Sequence, residues 1–272
     1  VHTSIAGGIH LSLERAMALG CSTVQIFSHS PRSWAIREIP EAEIREFKRL
    51  RKLYNIGPVY VHASYLINLS SETPGTAESS VAMVAQELEL AELIGAEYVV
   101  LHTGRSVREE GRKVAAQALG NALDRFRGES RLLLENTAGQ KGDISSRMED
   151  LAEIMAIADS PVIGGVCIDT CHAFQAGYDL SRTEGTEALI SEIERHLGIE
   201  QVKLIHLNDS KGGYNARLDR HEHIGKGRIG EEGLGFFLNH PLLREVPLIL
   251  ETPKKTEEDD PMNLAAVKRL IG

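Results

Sequence analysis

The sequence predicts an α/β fold: a single (β/α)8 TIM barrel with its active site at the C-terminal face of the strands. Three observations predict it. Eight short β-branched or apolar runs alternate with longer amphipathic segments. The runs are apolar throughout rather than alternating, as parallel strands buried on both faces require. The 272 residues suit a barrel of roughly 250 residues built as one domain. No linker or low-complexity tract interrupts 1–272, so the whole chain reads as one domain.

The strands are expected at 1–5, 23–27, 58–62, 98–102, 132–135, 166–169, 202–207 and 246–251. Between them, Val81, Val84, Ala85 and Leu88, and again Leu151, Ile154, Met155 and Ala158, follow the i, i+3, i+4, i+7 spacing of a helix face. Gly95 and Gly198 fall at or just past helix ends, where glycine accepts the left-handed conformation. The longest irregular segments, 28–40, 63–75, 104–108, 137–143 and 210–230, each follow a strand, which is where a barrel builds its active site.

Hydrophobic residues make up 42% and charged residues 25% of the chain, the balance of a globular domain. No run of eighteen apolar residues offers a membrane span, and there is no signal-peptide pattern. Cys21, Cys167 and Cys171 read as reduced thiols, and the expected location is the cytoplasm. The chain starts at Val1 rather than Met, and the sequence does not say whether residues precede it. A net charge of −9 argues by itself against a nucleic-acid binder, whose footprint is usually basic. Bound divalent cations would reverse that argument locally, because each brings two positive charges to the place where a phosphate would sit.

The strand ends carry the chemistry. Six of the runs finish on a metal-competent side chain: His62 after VYV, His102 after VVL, Glu135 after LLL, Asp169 after VCI, His206 after KLI and Glu251 after LIL. One such residue is ordinarily a satisfied polar group at a strand terminus. Six at the same end of successive strands converge on one axis once a barrel closes. Imidazoles and carboxylates without an obligatory thiolate suit zinc or manganese. Asp169 and His172 form D-x-x-H, and Asp219 and His221 form D-x-H in the loop after the seventh strand. His172, Asp219 and His221 would supply three ligands and leave one position open, as catalytic zinc sites do.

Longer motifs surround these residues: SYLINL from Ser64, LLENTAGQKG from Leu133, CIDTCHAFQAGYDL from Cys167, HLNDSK from His206, DRHEHIGKGRIG from Asp219 and LILETP from Leu248. Together they resemble endonuclease IV, the zinc-dependent family of apurinic/apyrimidinic endonucleases, over nearly the whole chain. The resemblance implies three zinc ions. His62, His102 and Glu135 would hold the first. Glu135 would bridge to a second held by Asp169, His206 and Glu251. His172, Asp219 and His221 would hold the third, and manganese is compatible at one or more sites. Glu135, the shared ligand, is the catalytic candidate. The resemblance also implies a monomer acting on duplex DNA that carries abasic sites or blocked 3′ ends. Water activated by the metals would cut the phosphodiester 5′ to the lesion, leaving a 3′-hydroxyl and a 5′-deoxyribose phosphate, with 3′-phosphodiesterase and 3′-phosphatase activity beside it. Arg32, in SPRSW, and Tyr65 and Leu66 match residues that enter the damaged duplex, as wedges that offset unstacking do elsewhere. Two segments depart from the family: LHTG at 101–104 replaces the usual LHPG, and SHS precedes Pro31. Neither touches a ligand.

The principal alternative is a xylose-isomerase-like sugar isomerase or epimerase, which would use Glu135, Asp169, His206 and Glu251 and has no evident need of the remaining candidates. A DNA-damage binder without catalysis would be expected to lose ligands, and none is lost.

Overall fold

The computed structural model describes residues 1–36, 38–73 and 75–271. Arg37 and Pro74, which belong to the long segments 28–40 and 63–75, lie outside the described residues. The chain divides into two compact units, Val1–Leu134 with Ile154–Gly165, and Glu135–Glu153 with Val166–Gly272.

The first unit alternates as its sequence dictates: α1 (Leu11–Ala18), β1 (Val24–Phe27), α2 (Glu41–Tyr54), β2 (Val59–His62), α3 (Thr76–Ile94), β3 (Tyr98–Leu101), α4 (Gly111–Leu123) and β4 (Arg131–Glu135), the last residue of which begins the second unit. Strands β1 to β4 pair in parallel with Val24 opposite Val59, Val61 opposite Val99 and Leu101 opposite Leu134. All four residues of β2 are buried, the two-sided burial that its VYV run predicts. On α3 the buried stripe is Ser80, Met83, Val84, Glu87, Leu88, Ala91 and Ile94. Val84 and Leu88 lie on it as expected, whereas Val81 and Ala85 are half-buried at its edge. Each fully buried Leu or Ile of this kind contributes about 1.5–3 kcal/mol. Gly95 ends α3 at φ +78°, the left-handed cap foreseen for it.

Helix α5 (Met148–Ala158) and β5 (Ile163–Asp169) cross the division between the units, and Leu151 and Ile154 are the buried positions of the α5 pattern. The second unit continues with α6 (Thr170–Ala176), α7 (Thr183–His196), a 3-10 turn, β6 (Val202–His206), a two-stranded ribbon of β7 (Asp209–Ser210) and β8 (His221–Glu222), α8 (Gly230–Leu238), β9 (Leu248–Ile249) and α9 (Asp259–Leu270). Seven strands make one sheet in the order β1-β2-β3-β4-β5-β6-β9. No helix among the described residues is long and apolar enough to cross a membrane.

Two expected strands come out differently. Residues 1–5 are not a strand: His2 makes one parallel bridge to Gln25, and then Ser4 Oγ accepts the Ala6 N–H at 3.1 Å. That side-chain turn takes the chain away from the ladder. The run 246–251 shortens to Leu248–Ile249. Pro247 has no N–H to donate, and the N–H of Glu251 goes to Asn208 Oδ1 at 2.9 Å instead of to a strand.

One irregularity sets the site. The β5–β6 register shifts by one between Val166 and Cys167, so Val166 pairs with Val202 but Asp169 pairs with His206. Without this bulge Asp169 would face Ile205. A bulge re-aims the side chains beyond it, and here it lines up two candidate ligands.

Candidate metal centre

In the second unit, Glu135, Asp169, His206 and Glu251 each offer a ligand atom within 4.8 Å of the others. Glu135, Asp169 and His206 are completely buried, and Glu251 is half-buried. His206 Nδ1 lies 2.9 Å from Glu135 Oε1 and 3.3 Å from Glu251 Oε2. Asp169, His172 and His221 form a second group by the same criterion, so Asp169 belongs to both. Asp219, which the sequence places with His172 and His221, reaches toward them: its Oδ1 is 3.2 Å from His172 Nε2 and 3.6 Å from His221 Nε2. At 43% exposure its side chain is the open member of the set.

The local sequence explains how these atoms are aimed. Asp169 is the last residue of β5 and the N-cap of α6, and its Oδ1 accepts the His172 N–H at 2.7 Å. The D-x-x-H spacing is therefore a capping geometry that also fixes the second ligand. His172 Nδ1 donates to the Asn136 carbonyl at 2.9 Å, and His221 Nδ1 donates to the Glu251 carbonyl at 3.0 Å. Each ring thus turns its Nε2 toward the acids, as metal-binding imidazoles do when a carbonyl holds the other nitrogen. His221 Nε2 makes no hydrogen bond among the described residues, yet faces Asp169 Oδ2 at 3.5 Å. Buried nitrogen facing carboxylate oxygen without a proton bridge is the arrangement a cation would fill.

Asn136 and Asn208 complete the frame, and the sequence reading passes over both. Asn136 Oδ1 accepts the Asp169 N–H at 2.7 Å. Asn208 Nδ2 donates to Asp169 Oδ2 at 2.7 Å, while its Oδ1 accepts the Glu251 N–H. Their signal was their position: each follows a ligand by one or two residues. Asp209 is fully buried and accepts the Gly227 and Ile229 N–H groups at 2.9 and 3.0 Å, closing the loop that contains Asp219 and His221.

The electrostatics fit a cation. Burial alone pulls an imidazolium down. At His172 that pull is overcome by the Asp169 charge, followed by Asp219 and Glu135, and the group is raised well above its ordinary value. Burial is likewise overcome at His206, by Cys167, Glu251 and Glu135. Cys167 stands with Glu135 and His206 in a further group of close donor atoms, but burial pushes its thiol up to about 12. Cys171 is pushed to about 12 by burial too, and its Sγ donates to the Arg220 carbonyl at 3.6 Å, a buried thiol as its neighbours suggest.

In the first unit, His62 closes β2 and His102 follows β3, with ring centroids 5.6 Å apart. His62 Nδ1 donates to the Ala63 carbonyl at 2.8 Å, so this ring too is held by a backbone carbonyl. Leu101 pairs with Leu134, so His102 comes directly after the last paired residue of β3. The candidate DNA contacts are at loop surfaces: Arg32 is exposed, Tyr65 is 59% exposed and Leu66 is half-buried. Trp34 is exposed as well, which places neither aromatic in the core.

Residues 13–270 match the protein family described as "Xylose isomerase-like TIM barrel". The chain is 40% identical over 271 residues to a protein of Halothermothrix orenii named "Probable endonuclease 4", covering 98% of each. It is 44% identical over 260 residues to "Endonuclease 4" of Thermus thermophilus, covering 95% of this chain and 93% of that protein. A crystal structure of endonuclease IV from Thermus thermophilus superposes with a TM-score of 0.90 at 40% identity, over 99% of this chain and 97% of the other. A D-tagatose 3-epimerase-like protein shares the fold at a TM-score of 0.72 and 22% identity. The expected TIM barrel is thereby confirmed, and by identity and coverage the chain belongs to the endonuclease IV family.

Proposed function

We propose that this chain is an apurinic/apyrimidinic endodeoxyribonuclease of base excision repair, a single-domain monomer of the cytoplasm. It hydrolyses the phosphodiester 5′ to an abasic site, yielding a 3′-hydroxyl and a 5′-deoxyribose phosphate, and also clears blocked 3′ ends. The observation that carries the reading is the donor set: two buried groups sharing Asp169, without an obligatory thiolate, in a chain about two-fifths identical over its length to proteins named endonuclease 4.

On this reading three zinc ions would be held, the first by His62, His102 and Glu135, the second by Glu135, Asp169, His206 and Glu251, and the third by His172, Asp219 and His221. Manganese suits the same ligands. When bound, such ions activate water and neutralise charge on the phosphate. The protein's own groups set the geometry. Glu135, held at 2.9 Å from His206, is the carboxylate shared between sites. Asp219, the exposed donor, lies where a substrate oxygen can approach. Arg32, Tyr65 and Leu66 fill the space left as the abasic sugar swings out of the duplex. Cations held by these residues would also offset the acidic charge of the chain at the place proposed for the DNA backbone.

A sugar isomerase would need only the Glu135–Asp169–His206–Glu251 group, and the likeness to the epimerase-like protein is one of fold. His172 and His221 have no role in that chemistry. Elemental analysis of the purified protein, paired with cleavage of a duplex bearing one abasic-site analogue with and without chelator, separates the readings. About three metals per chain and chelator-sensitive incision 5′ to the lesion are expected. One or two metals, no incision and turnover of a free sugar would establish the isomerase.

A further inference from the structure

A carboxylate lies beneath the two loops that carry Arg32 and Tyr65, and the metal centre makes no use of it. Glu87 sits in the buried stripe of α3 between Val84 and Ala91, and it is 0% exposed. Its Oε2 accepts Ser28 Oγ–H at 2.5 Å, and its Oε1 accepts the Ser64 backbone N–H at 3.1 Å. His29 Nδ1 stands 3.5 Å from Oε1 and 2.9 Å from Ser28 Oγ. Ser28 and His29 begin the loop after β1, and Ser64 is the second residue of the loop after β2. Two more bonds join the loops directly: Ser64 Oγ and the Tyr65 N–H both donate to the Pro31 carbonyl, at 2.9 and 3.1 Å.

Burial pushes the Glu87 carboxyl up, and the contacts with Ser28, His29 and Ser64 oppose that push. A buried carboxylate is a weak device for stability, because an apolar residue of similar volume commonly does as well. What an apolar residue cannot do is hold two loops in one relation through directed bonds. The tips above this anchor are exposed, with Trp34 at 40% and Tyr65 at 59%.

We propose that Glu87 is a positioning residue, locking the loops at 28–34 and 64–66 to each other and to α3 so that Arg32 and Tyr65 meet a damaged duplex as one preformed surface. The DNA part of this inference rests on the endonuclease reading above. Preformed loops spare the ordering cost on binding, so the effect belongs in KM more than in kcat.

Trp34 is the only tryptophan of the chain, and its fluorescence reports the first loop without DNA. Glu87→Ala should lower Trp34 anisotropy and increase its quenching by acrylamide. In the same variant KM for the abasic duplex should rise about tenfold, with kcat within about twofold and metal content unchanged. Glu87→Gln keeps one acceptor oxygen and should fall between Ala and the parent; with Ser28→Ala, it carries the test if the Ala variant does not fold. Parental Trp34 signals and KM in the folded variants would overturn the proposal, as would a joint fall of kcat and metal content. A parent protein that fails to cut abasic DNA would defeat the endonuclease reading instead, while the Trp34 measurement would still decide whether Glu87 holds the loop.

Discussion

The ligand cluster of the second unit and the paired loops of the first are held in opposite ways. Asp169 accepts from a backbone N–H with one oxygen and from Asn208 with the other, and Asn136 takes its own N–H. His172 and His221 are each fixed by a carbonyl. Almost nothing there is free to turn, as a site that must present charge to a phosphorus atom requires. The loops are tied to α3 near their bases and to each other at Pro31, and they expose Arg32, Trp34 and Tyr65. On the proposed function, chemistry would fall to fixed groups and recognition of a distorted duplex to exposed ones. Damage to the cluster should therefore appear in kcat and metal content, and damage to the loops in KM.

The largest effect should come from Glu135→Gln. The variant removes the charge shared between two proposed sites and should lose at least ~100–1000-fold in incision, with less metal bound and an unchanged circular dichroism spectrum. Full activity would remove Glu135 from the centre. Asn208→Ala comes next. It leaves Asp169 Oδ2 and the Glu251 N–H without their partner, and outer-shell losses of this kind cost about 10–100-fold in metal affinity or activity. Chelator competition measures the affinity; no change would make Asn208 a structural group only. Tyr65→Ala should act on the other side of the comparison. Its ring packs at 5.3 Å from Phe27 and is 59% exposed, so KM should rise about tenfold, the scale of one lost base-stacking contact, with metal content intact. A fall in metal content would erase the proposed separation, since Tyr65 also lies 5.6 Å from the His62 ring.

How much of this was legible in the sequence follows the same division. Candidate ligands at strand ends can be read because a strand's last residue lies at a fixed place in a barrel, and His62, Glu135, Asp169 and His206 close their strands as expected. His102 and Glu251 come one and two residues after theirs, because backbone pairing stops earlier than the apolar run does. The β5–β6 slip was not legible, since nothing in VCID or VKLIH marks where a residue is skipped. Glu87 was not legible either. A glutamate at a helical position reads as solvent-facing, and of the apolar positions that mark the face only Val84 and Leu88 are buried, with Val81 and Ala85 at its edge. Asn136 and Asn208 stand beside ligands in the sequence, but their roles depend on bonds spanning 33 to 43 positions, which spacing does not reveal.

The smallest expected effect concerns protons and sharpens what the cluster is for. His172 and His206 are raised in the folded chain, despite burial, by the surrounding acids. In chelator-treated protein those protons occupy the place of cations. A group raised on folding contributes stability that is complete below its unfolded value, about 6.5 for histidine, and is lost as pH climbs through the folded value. The metal-free protein should therefore melt at a lower temperature as pH rises above about 6.5. The metal-loaded protein should behave in the opposite sense, because metal displaces those protons and binds better as pH rises. The gap between the two melting temperatures should widen with pH, by a few degrees for a chain of this size. Paired calorimetric scans between pH 6 and 9, with and without chelator, decide it. Parallel curves would mean that the two histidines do not exchange protons for metal, and the tightly held cluster would then be a structural network rather than a metal centre.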